Sequence, residues 1–233
     1  MERPTWFIDE VAHSGPEHLD PDYVAVYDRK AGFDPSADVE QMLKLGLDQT
    51  STLVDLGAGT GAVSFASAPR CRRVVVVDVS GAMFRTVAAK ADRLGVRNVE
   101  VVRAGFLSYD HQGPPADFVY SRNALHHLPD FWKVVALQRV AAILRPGGVF
   151  FLRDLVYSCR PEEVSTVFEN WLANAIDRPE LGWTRPELET HIRDEYSTFS
   201  WLLEPMLERV GFRIQQADHS DSRTYALYVC IKG

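Results

Sequence analysis

The chain has 233 residues, of which 46% are hydrophobic, enough for one well-packed α/β domain. Its net charge of −7 disfavours a general attraction to nucleic acid. No apolar run approaches the roughly 20 residues of a membrane helix, and the first residues lack the apolar stretch of a signal peptide. Cys71, Cys159 and Cys230 are odd in number and far apart, which disfavours disulfides and a cysteine zinc site. We therefore expect a cytoplasmic protein with no nucleic-acid partner, no membrane partner and no metal.

The first 155 residues predict alternating helices and strands. Residues 1–35 are interpreted as an N-terminal lid with a helix around 19–28, and helical spacing from Asp38 to Leu47 predicts a second helix. Strands are predicted near 53–57, 74–78, 99–103, 117–121 and 148–154. The helices between them are predicted at about 61–67, 81–94 and 132–144. Such alternation implies a parallel, doubly wound sheet.

The pattern changes after residue 155. Residues 161–176 and 185–209 are predicted to be helical, with a break around 177–183, and Ser197 or Thr198 is a candidate cap for the apolar helix from Phe199. Residues 212–218 and 224–231 are predicted to be two antiparallel strands. We expect one domain composed of a lid (1–35), a core (36–155), a helical cap (156–210) and two final strands (211–233).

The most informative segment is Leu53-Val-Asp-Leu-Gly-Ala-Gly-Thr-Gly61. It predicts a buried strand, a glycine turn and a helix that begins near Ala62. Glycine has no Cβ, so a nucleotide-like ligand can approach the turn and the free N–H groups of the helix start. The same residues fit a loose dinucleotide fingerprint, G-x-G-x-x-G/A. The turn alone therefore predicts a nucleotide without specifying which one.

Two acids near this turn narrow the choice. Asp55 lies inside the strand, where a buried carboxylate is costly unless it is bound, for example by a ligand ammonium group. A second interpretation is that Asp55 caps backbone N–H groups of the glycine turn. Asp78 ends the apolar run 74–77 and is placed to accept hydrogen bonds from both ribose hydroxyls. A ligand with an amino-acid end and a ribose end, such as S-adenosylmethionine, suits this pair.

Four segments resemble motifs of the class I S-adenosylmethionine-dependent methyltransferases. They are Val-Asp-Leu-Gly-Ala-Gly-Thr-Gly (54–61), Val-Val-Val-Asp-Val-Ser-Gly-Ala-Met (75–83), the stretch 116–130 with its Leu-His-His-Leu-Pro sequence, and Leu-Arg-Pro-Gly-Gly-Val-Phe-Phe-Leu (144–152). The chain is most similar to the group that includes the ubiquinone and menaquinone C-methyltransferases. The resemblance implies a seven-stranded Rossmann-like sheet with an antiparallel last strand and a helical insertion between strands five and six. It also implies in-line methyl transfer from S-adenosylmethionine to a small-molecule acceptor.

The motifs and the lid together predict the residues around the cofactor, with Ser80 as the N-cap of the following helix. The predicted cofactor residues are Tyr27, Asp55, Gly57, Ala58, Gly59, Gly61, Asp78, Val79, Met83, Gly105, Phe106, Arg122 and Asn123. One position departs from the family pattern. The family often has Gly-Asp-Ala after the third strand, where the acid binds the adenine amino group, but this chain has Ala-Gly-Phe at 104–106. Backbone groups near Phe106, apolar walls or another residue would then hold the adenine.

The predicted acceptor site is less specific. His126, His191, Glu195 and Tyr196 are the candidate catalytic residues, with Tyr157 and Trp183 adding aromatic surface on the same half of the chain. Structural interpretations stay open: either histidine of the pair at 126–127 could bond a backbone carbonyl, and 190–199 could be a solvated turn. A non-catalytic S-adenosylmethionine-binding protein and a nicotinamide-dependent oxidoreductase are the alternative functions. A homodimer is one possible assembly.

Overall fold

The computed structural model describes residues 4–233, without the side chains of Pro16 and Val26, so residues 1–3 of the predicted lid lie outside the described residues. The helices are α1 (Pro21–Ala31), α2 (Ser36–Lys44), α3 (Ala62–Ser67), α4 (Gly81–Leu94), α5 (Asp130–Ile143), α6 (Val164–Leu172), α7 (Arg185–Asp194) and α8 (Ser200–Arg209). The strands are β1 (Thr52–Leu56), β2 (Arg73–Asp78), β3 (Val99–Arg103), β4 (Ala116–Arg122), β5 (Leu144–Tyr157), β6 (Thr198–Phe199), β7 (Phe212–His219) and β8 (Tyr225–Lys232).

The strands form a sheet in the order β3-β2-β1-β4-β5-β8-β7, with the short β6 paired to β5. β1 pairs in parallel with β2 and β4, and β8 is antiparallel to both β5 and β7. The predicted doubly wound sheet, mostly parallel with an antiparallel final strand, is confirmed. The strand order reverses between β1 and β4, and ligands of open α/β sheets bind outside the strand ends at such a point.

Both faces of the sheet are covered by helices. Side chains alternate along β1, so Leu53 belongs to a core cluster with Val39 and Val63 of α2 and α3, whereas Val54 belongs to the cluster with Leu137 of α5. No helix within residues 4–233 combines the length and the apolar character needed to cross a bilayer.

In the cap, the prediction of one helix over 185–209 is wrong, and the alternative of a turn before an apolar helix from Phe199 agrees better with the structure. Two helices, α7 and α8, form because segment 196–199 makes tertiary bonds instead of helical ones. The Tyr196 N–H donates to the His126 carbonyl at 3.0 Å, and Thr198 pairs with Val156 of β5. Thr198 Oγ1 donates to Asp130 at 3.1 Å, and no side chain among the described residues caps α8 at Phe199. The helix predicted at 161–176 is shorter, spanning Val164–Leu172.

The lid lies over the carboxyl edge of the sheet and is held there by packing contacts, hydrogen bonds and an ion pair. Val24 of α1 packs against Ala82 and Met83 of α4. Ser80 Oγ donates to the His18 carbonyl at 2.6 Å, and Thr60 Oγ1 donates to Asp28. Lys30 forms an ion pair with Glu187 of α7, which ties the lid to the cap.

A buried carboxylate anchors α2 to the centre of the sheet. Asp38 is 2% exposed, and it accepts hydrogen bonds from Arg153 Nε at 2.6 Å and from the Tyr120 hydroxyl at 2.7 Å. Arg122 Nη1 lies 3.6 Å from the same carboxylate. These bonds compensate the desolvation of Asp38, so the loss of its charge leaves their partners unsatisfied.

We expect Asp38→Ala to lower the free energy of unfolding by about 2–4 kcal/mol. This loss of stability is smaller than the loss expected when a fully buried ion pair is broken, since the Arg153 side chain is 33% exposed. Glu40→Ala, which removes an exposed carboxylate from the same helix, is the matched control. Urea denaturation of both variants measures the difference; equal stability of the two would contradict the anchoring role.

Candidate functional site

The glycine turn connects β1 to α3 in a conformation that favours glycine. Gly57 and Gly59 have φ of 69° and 56°, and a Cβ on Gly57 would overlap the Ala124 methyl group. The N–H groups of Gly57 and Ala58 donate to the Val77 carbonyl at 2.9 and 3.1 Å, which fixes the turn against β2. A Cβ on Gly59 would meet only Tyr27, at 3.9 Å, so this side of the turn is open to a ligand.

A cavity of about 460 Å³, here called the first cavity, lies at the reversal point between β1 and β4. It is bounded by the glycine turn, the ends of β2 and β4, the turn after β3, and the lid. Twelve of the thirteen predicted cofactor residues line it: Tyr27, Asp55, Gly57, Ala58, Gly59, Asp78, Val79, Met83, Gly105, Phe106, Arg122 and Asn123. Gly61 lies behind the turn, where a Cβ would be 3.0 Å from the Phe65 ring.

Asp55 is buried at the end of β1 and points toward α3. It is 2% exposed, and Ser64 Oγ donates to its Oδ2 at 2.5 Å. Burial raises the pKa of Asp55 to about 7. The alternative role predicted for this residue, capping the glycine turn, belongs instead to Asp78.

Asp78 holds two turns together at the end of β2. Its Oδ2 accepts the Gly59 N–H and its Oδ1 accepts the Ser80 N–H, each at 2.8 Å. Burial raises the pKa of Asp78 to about 6, against the effect of these two bonds. The predicted N-cap is confirmed, because Ser80 Oγ accepts the N–H groups of Ala82 and Met83 at 3.2 Å.

Glu10 of the lid also lines the first cavity, and sequence reasoning missed it. Its Oε1 accepts the Leu107 N–H at 2.8 Å, next to Gly105, where the family's acid is absent. Glu10 stands 95 positions before Gly105, and the chain offered no local signal to connect them.

A second cavity of about 310 Å³ adjoins the first, between the lid and α7. Candidate catalytic residues His126, His191 and Glu195 line it, together with aromatic side chains such as Trp171 and Tyr23. The two cavities share the lining residues His18, Tyr27, Asn123, His127, Trp183 and Tyr225, which form the junction between them.

His126 is fixed between two carboxylates. Its Nδ1 bonds to Asp154 of β5, and its Nε2 lies 3.1 Å from Glu195 Oε2. Burial alone would lower the pKa of His126, but Asp154 and Glu195 together outweigh it and raise the pKa to about 9. Glu195 also bonds to His191, and the two histidines keep the pKa of Glu195 below its ordinary value despite burial. His126 is therefore an imidazolium at neutral pH, with both ring nitrogens engaged.

His127 has the opposite environment. Its Nδ1 is buried and has no hydrogen-bond partner among the described residues. Burial, and then the charge of His126, hold the pKa of His127 well below the ordinary value. Its ring lies 5.7 Å from that of His18, whose pKa burial also lowers. The junction of the two cavities thus carries two neutral imidazoles.

Two predicted aromatic residues lie elsewhere. The Tyr196 side chain is 41% exposed and is not among the described residues that line either cavity. Its ring contacts His13, with ring centroids 5.8 Å apart. Tyr157 packs between Phe168 and Phe199 in the core of the cap. Neither ring belongs to the walls that would face an acceptor.

One group of ligand-type side chains is close enough to hold a metal. Within the described part of the chain, atoms of His126, His127 and Glu195 lie within 4.8 Å of one another. An ion there would have to displace the bond between His126 and Glu195. The expectation of no metal remains a prediction.

Comparison with known proteins identifies the core. A family model described as a methyltransferase domain matches residues 53–148. An uncharacterized methyltransferase, C70.08c, of Schizosaccharomyces pombe (strain 972) is 26% identical over 197 residues, which span 83% of this chain and 71% of the relative. The cypemycin N-terminal methyltransferase of a Streptomyces species is 37% identical over 102 residues, spanning 43% of this chain and 40% of the relative.

The fold has close structural counterparts. An S-adenosylmethionine-dependent methyltransferase from Clostridium acetobutylicum superposes with a TM-score of 0.70 at 14% identity, covering 91% of this chain and 98% of the other. With the order of motifs and the cavity at the sheet's reversal point, the family match shows that residues 53–148 form a class I S-adenosylmethionine-dependent methyltransferase domain. Its cofactor is S-adenosylmethionine, and the oxidoreductase alternative is set aside.

The first cavity fits this cofactor chemically. Its carboxylates at Asp55 and Asp78 complement a ligand with a positively charged amino-acid end and hydroxyl donors. The open side of Gly59 leaves space that any side chain would fill.

The burial of Asp55 yields a prediction for the apo protein. Folding raises its pKa from 3.8 to about 7, so the native state disfavours the ionised form. The resulting loss of stability is complete above pH 7 and decreases progressively as the pH falls toward 4. We expect Asp55→Asn to raise the Tm at pH 8 by several degrees, since about 1 kcal/mol corresponds to roughly 2–4 °C at this size, and to raise it less at pH 5. Differential scanning fluorimetry of the apo protein measures both.

The matched control is Asp92→Asn, which alters an exposed carboxylate on α4. The Asp55 variant should also bind S-adenosylhomocysteine about tenfold more weakly, so stability and affinity change in opposite directions. A lower Tm at pH 8 would show that the ionised carboxylate stabilises the apo fold.

Proposed function

We propose that the chain methylates a small-molecule acceptor, which binds in the second cavity, by in-line displacement. The observation that carries this proposal is the junction, where the wall of the first cavity continues into the second. An acceptor in the second cavity can meet the cofactor only there. The cytoplasmic location, the absence of a nucleic-acid partner and a homodimeric assembly remain predictions.

Different residues of the first cavity are suited to different parts of the cofactor. Asp55, with the glycine turn, is placed for the amino-acid end, and Asp78 is placed for the ribose hydroxyls. Met83 and Phe106 supply apolar walls of the same cavity. When bound, S-adenosylmethionine supplies a methyl group that its sulfonium already activates.

The size and lining of the second cavity favour a small acceptor. Its volume of about 310 Å³ lies at the lower end of ligand pockets. Trp171, Trp183 and Tyr225 provide aromatic surface, and the imidazolium of His126 with Glu195 provides charged hydrogen-bonding groups. The lid and α7 enclose the space, which helps to exclude water from the reaction.

Among the histidines, His127 is best suited to accept the acceptor's proton. It lies at the junction, its Nδ1 is not used by another described residue, and its low pKa keeps it neutral at pH 7. His126, the residue favoured from sequence, is already protonated between its carboxylates and is better suited to fixing Glu195 and His191. We therefore assign the proton acceptor to His127 and a positioning role to His126.

The test is turnover by a His127→Asn variant. An acceptor is first identified by following S-adenosylhomocysteine release from a panel of small amines, phenols and thiols. We expect the variant to lower kcat by about 100-fold, because a positioned base contributes roughly 10²–10⁴, while the affinity for S-adenosylhomocysteine changes little. The wild-type rate should be independent of pH between 6.5 and 8 and should fall in acid as His127 becomes protonated.

His219→Asn is the matched control, since His219 lies on β7 and lines neither cavity as described. If His127→Asn retained the wild-type kcat while His126→Asn lost it, the assignment of the base would be wrong. Tight binding of S-adenosylhomocysteine with no turnover across the panel would instead favour the non-catalytic alternative.

A further inference from the structure

We propose that Glu10, from the N-terminal lid, supplies the carboxylate that recognises the 6-amino group of the cofactor's adenine, in place of the acid that is absent after β3. The proposal rests on the assignment of S-adenosylmethionine to the first cavity. It adds a specificity-determining residue that belongs to a different part of the chain from the motifs of the core.

The first observation is the position of the Glu10 carboxylate. If residue 105 had a side chain, its Cβ would lie 2.7 Å from Glu10 Cδ, 3.1 Å from Oε2 and closer still to Oε1. The carboxylate of Glu10 therefore occupies the space in which an acid at position 105 would begin. Glycine at 105 and glutamate at 10 are complementary: an aspartate at 105 would collide with Glu10, and the glycine leaves room for it.

The second observation is that Glu10 is held in place. It is 7% exposed, and its Oε1 accepts the Leu107 N–H at 2.8 Å. The lid is anchored on both sides of it. The Phe7 ring packs in a tilted arrangement against Trp132 with ring centroids 4.8 Å apart, and the His18 carbonyl accepts a hydrogen bond from the Ser80 hydroxyl. The position of the carboxylate is thus set by packing on either side of it.

The third observation concerns the surroundings. Glu10 lines the first cavity together with Met83, Phe106 and Asp78, the residue assigned to the ribose. Apolar side chains and a carboxylate in one cavity suit a planar base that carries an amino donor. A buried carboxylate favours a donor and disfavours an oxygen acceptor, so a 6-amino purine should be preferred over a 6-oxo purine.

Because the carboxylate belongs to the lid, adenine recognition depends on the position of the lid. The adenine contact of Glu10 is complete only when the lid is in the position seen here. Base recognition and lid closure are therefore coupled, whereas an acid at position 105 would recognise the base with the lid open.

The experiment moves the carboxylate from one position to the other. Calorimetry measures the affinities of S-adenosylhomocysteine and of its 6-oxo analogue, S-inosylhomocysteine, for the wild type, Glu10→Ala, Gly105→Asp and the double variant. We expect the wild type to prefer the amino compound by about 10–100-fold, as one charge-assisted hydrogen bond provides. Glu10→Ala should lose most of this preference, and Gly105→Asp alone should bind both compounds more weakly. The double variant should regain the preference.

A conservative variant keeps the proposal testable if the double variant does not fold. Glu10→Gln retains the shape and an acceptor for Leu107, but its amide can also donate to a 6-oxo group, so it should shift the preference toward S-inosylhomocysteine. Asp9→Ala, which removes the neighbouring exposed carboxylate, is the matched control and should keep the wild-type preference.

The outcomes separate this proposal from the cofactor assignment. An unchanged preference for the amino compound in both Glu10→Ala and Glu10→Gln would overturn the role of Glu10, while the cofactor assignment would stand. A folded double variant without any preference would likewise contradict the exchange of carboxylates. If the wild type bound neither compound, the cofactor assignment itself would fail.

Discussion

Asp55 is buried and Asp78 is partly buried at the ends of adjacent strands, where each carboxylate loses hydration, and the chain compensates this loss differently for the two. Asp78 accepts two backbone N–H groups and so fixes both the glycine turn and the start of α4. Asp55 accepts a hydrogen bond from the Ser64 hydroxyl, and its pKa is raised further than that of Asp78. A positively charged ligand group is the natural complement of such a site. The arrangement of the turn that bounds the cavity follows from the two bonds of Asp78.

The two adjoining cavities contain different ionisable groups. The first contains carboxylates, whereas the second contains an imidazolium, an ionised Glu195 and neutral imidazoles at the junction. His126 and His127 differ because the first is bonded to Asp154, whereas the second has a buried Nδ1 without a hydrogen-bond partner among residues 4–233. Groups with pKa values pushed apart are what proton transfer between fixed residues requires.

Much of the fold followed from the sequence because its signals are local. Alternating apolar strands and helices, the glycines of the 57–61 turn and the Ser80 cap depend on neighbouring residues and were predicted within a few positions. The break between α7 and α8 was predicted only as an alternative to one helix over 185–209, because the long-range bonds to His126 and β5 that determine it are not visible in the local pattern. Tertiary contacts override local helix propensity in this way when a segment forms hydrogen bonds with a neighbouring element instead.

The site shows the same division. The motif residues predicted around the cofactor line the first cavity, apart from Gly61, since the carboxyl ends of parallel strands share one edge. Glu10 and Asp154 could not be found, because their importance depends on partners 95 and 28 positions away. The contrast between His126 and His127 is invisible in a Leu-His-His-Leu-Pro sequence, which does not state where either ring points.

The central claim is that the cofactor's charged end compensates Asp55. It is tested most directly by the protons exchanged when S-adenosylhomocysteine binds, measured by calorimetry in buffers of different ionisation enthalpy. Asp55 is mostly protonated at pH 6 in the apo protein, and an ammonium group beside it lowers its pKa, so binding should release about one proton at pH 6 and far less at pH 8. Net proton uptake, or a binding enthalpy at pH 6 that does not depend on the buffer, would contradict the account.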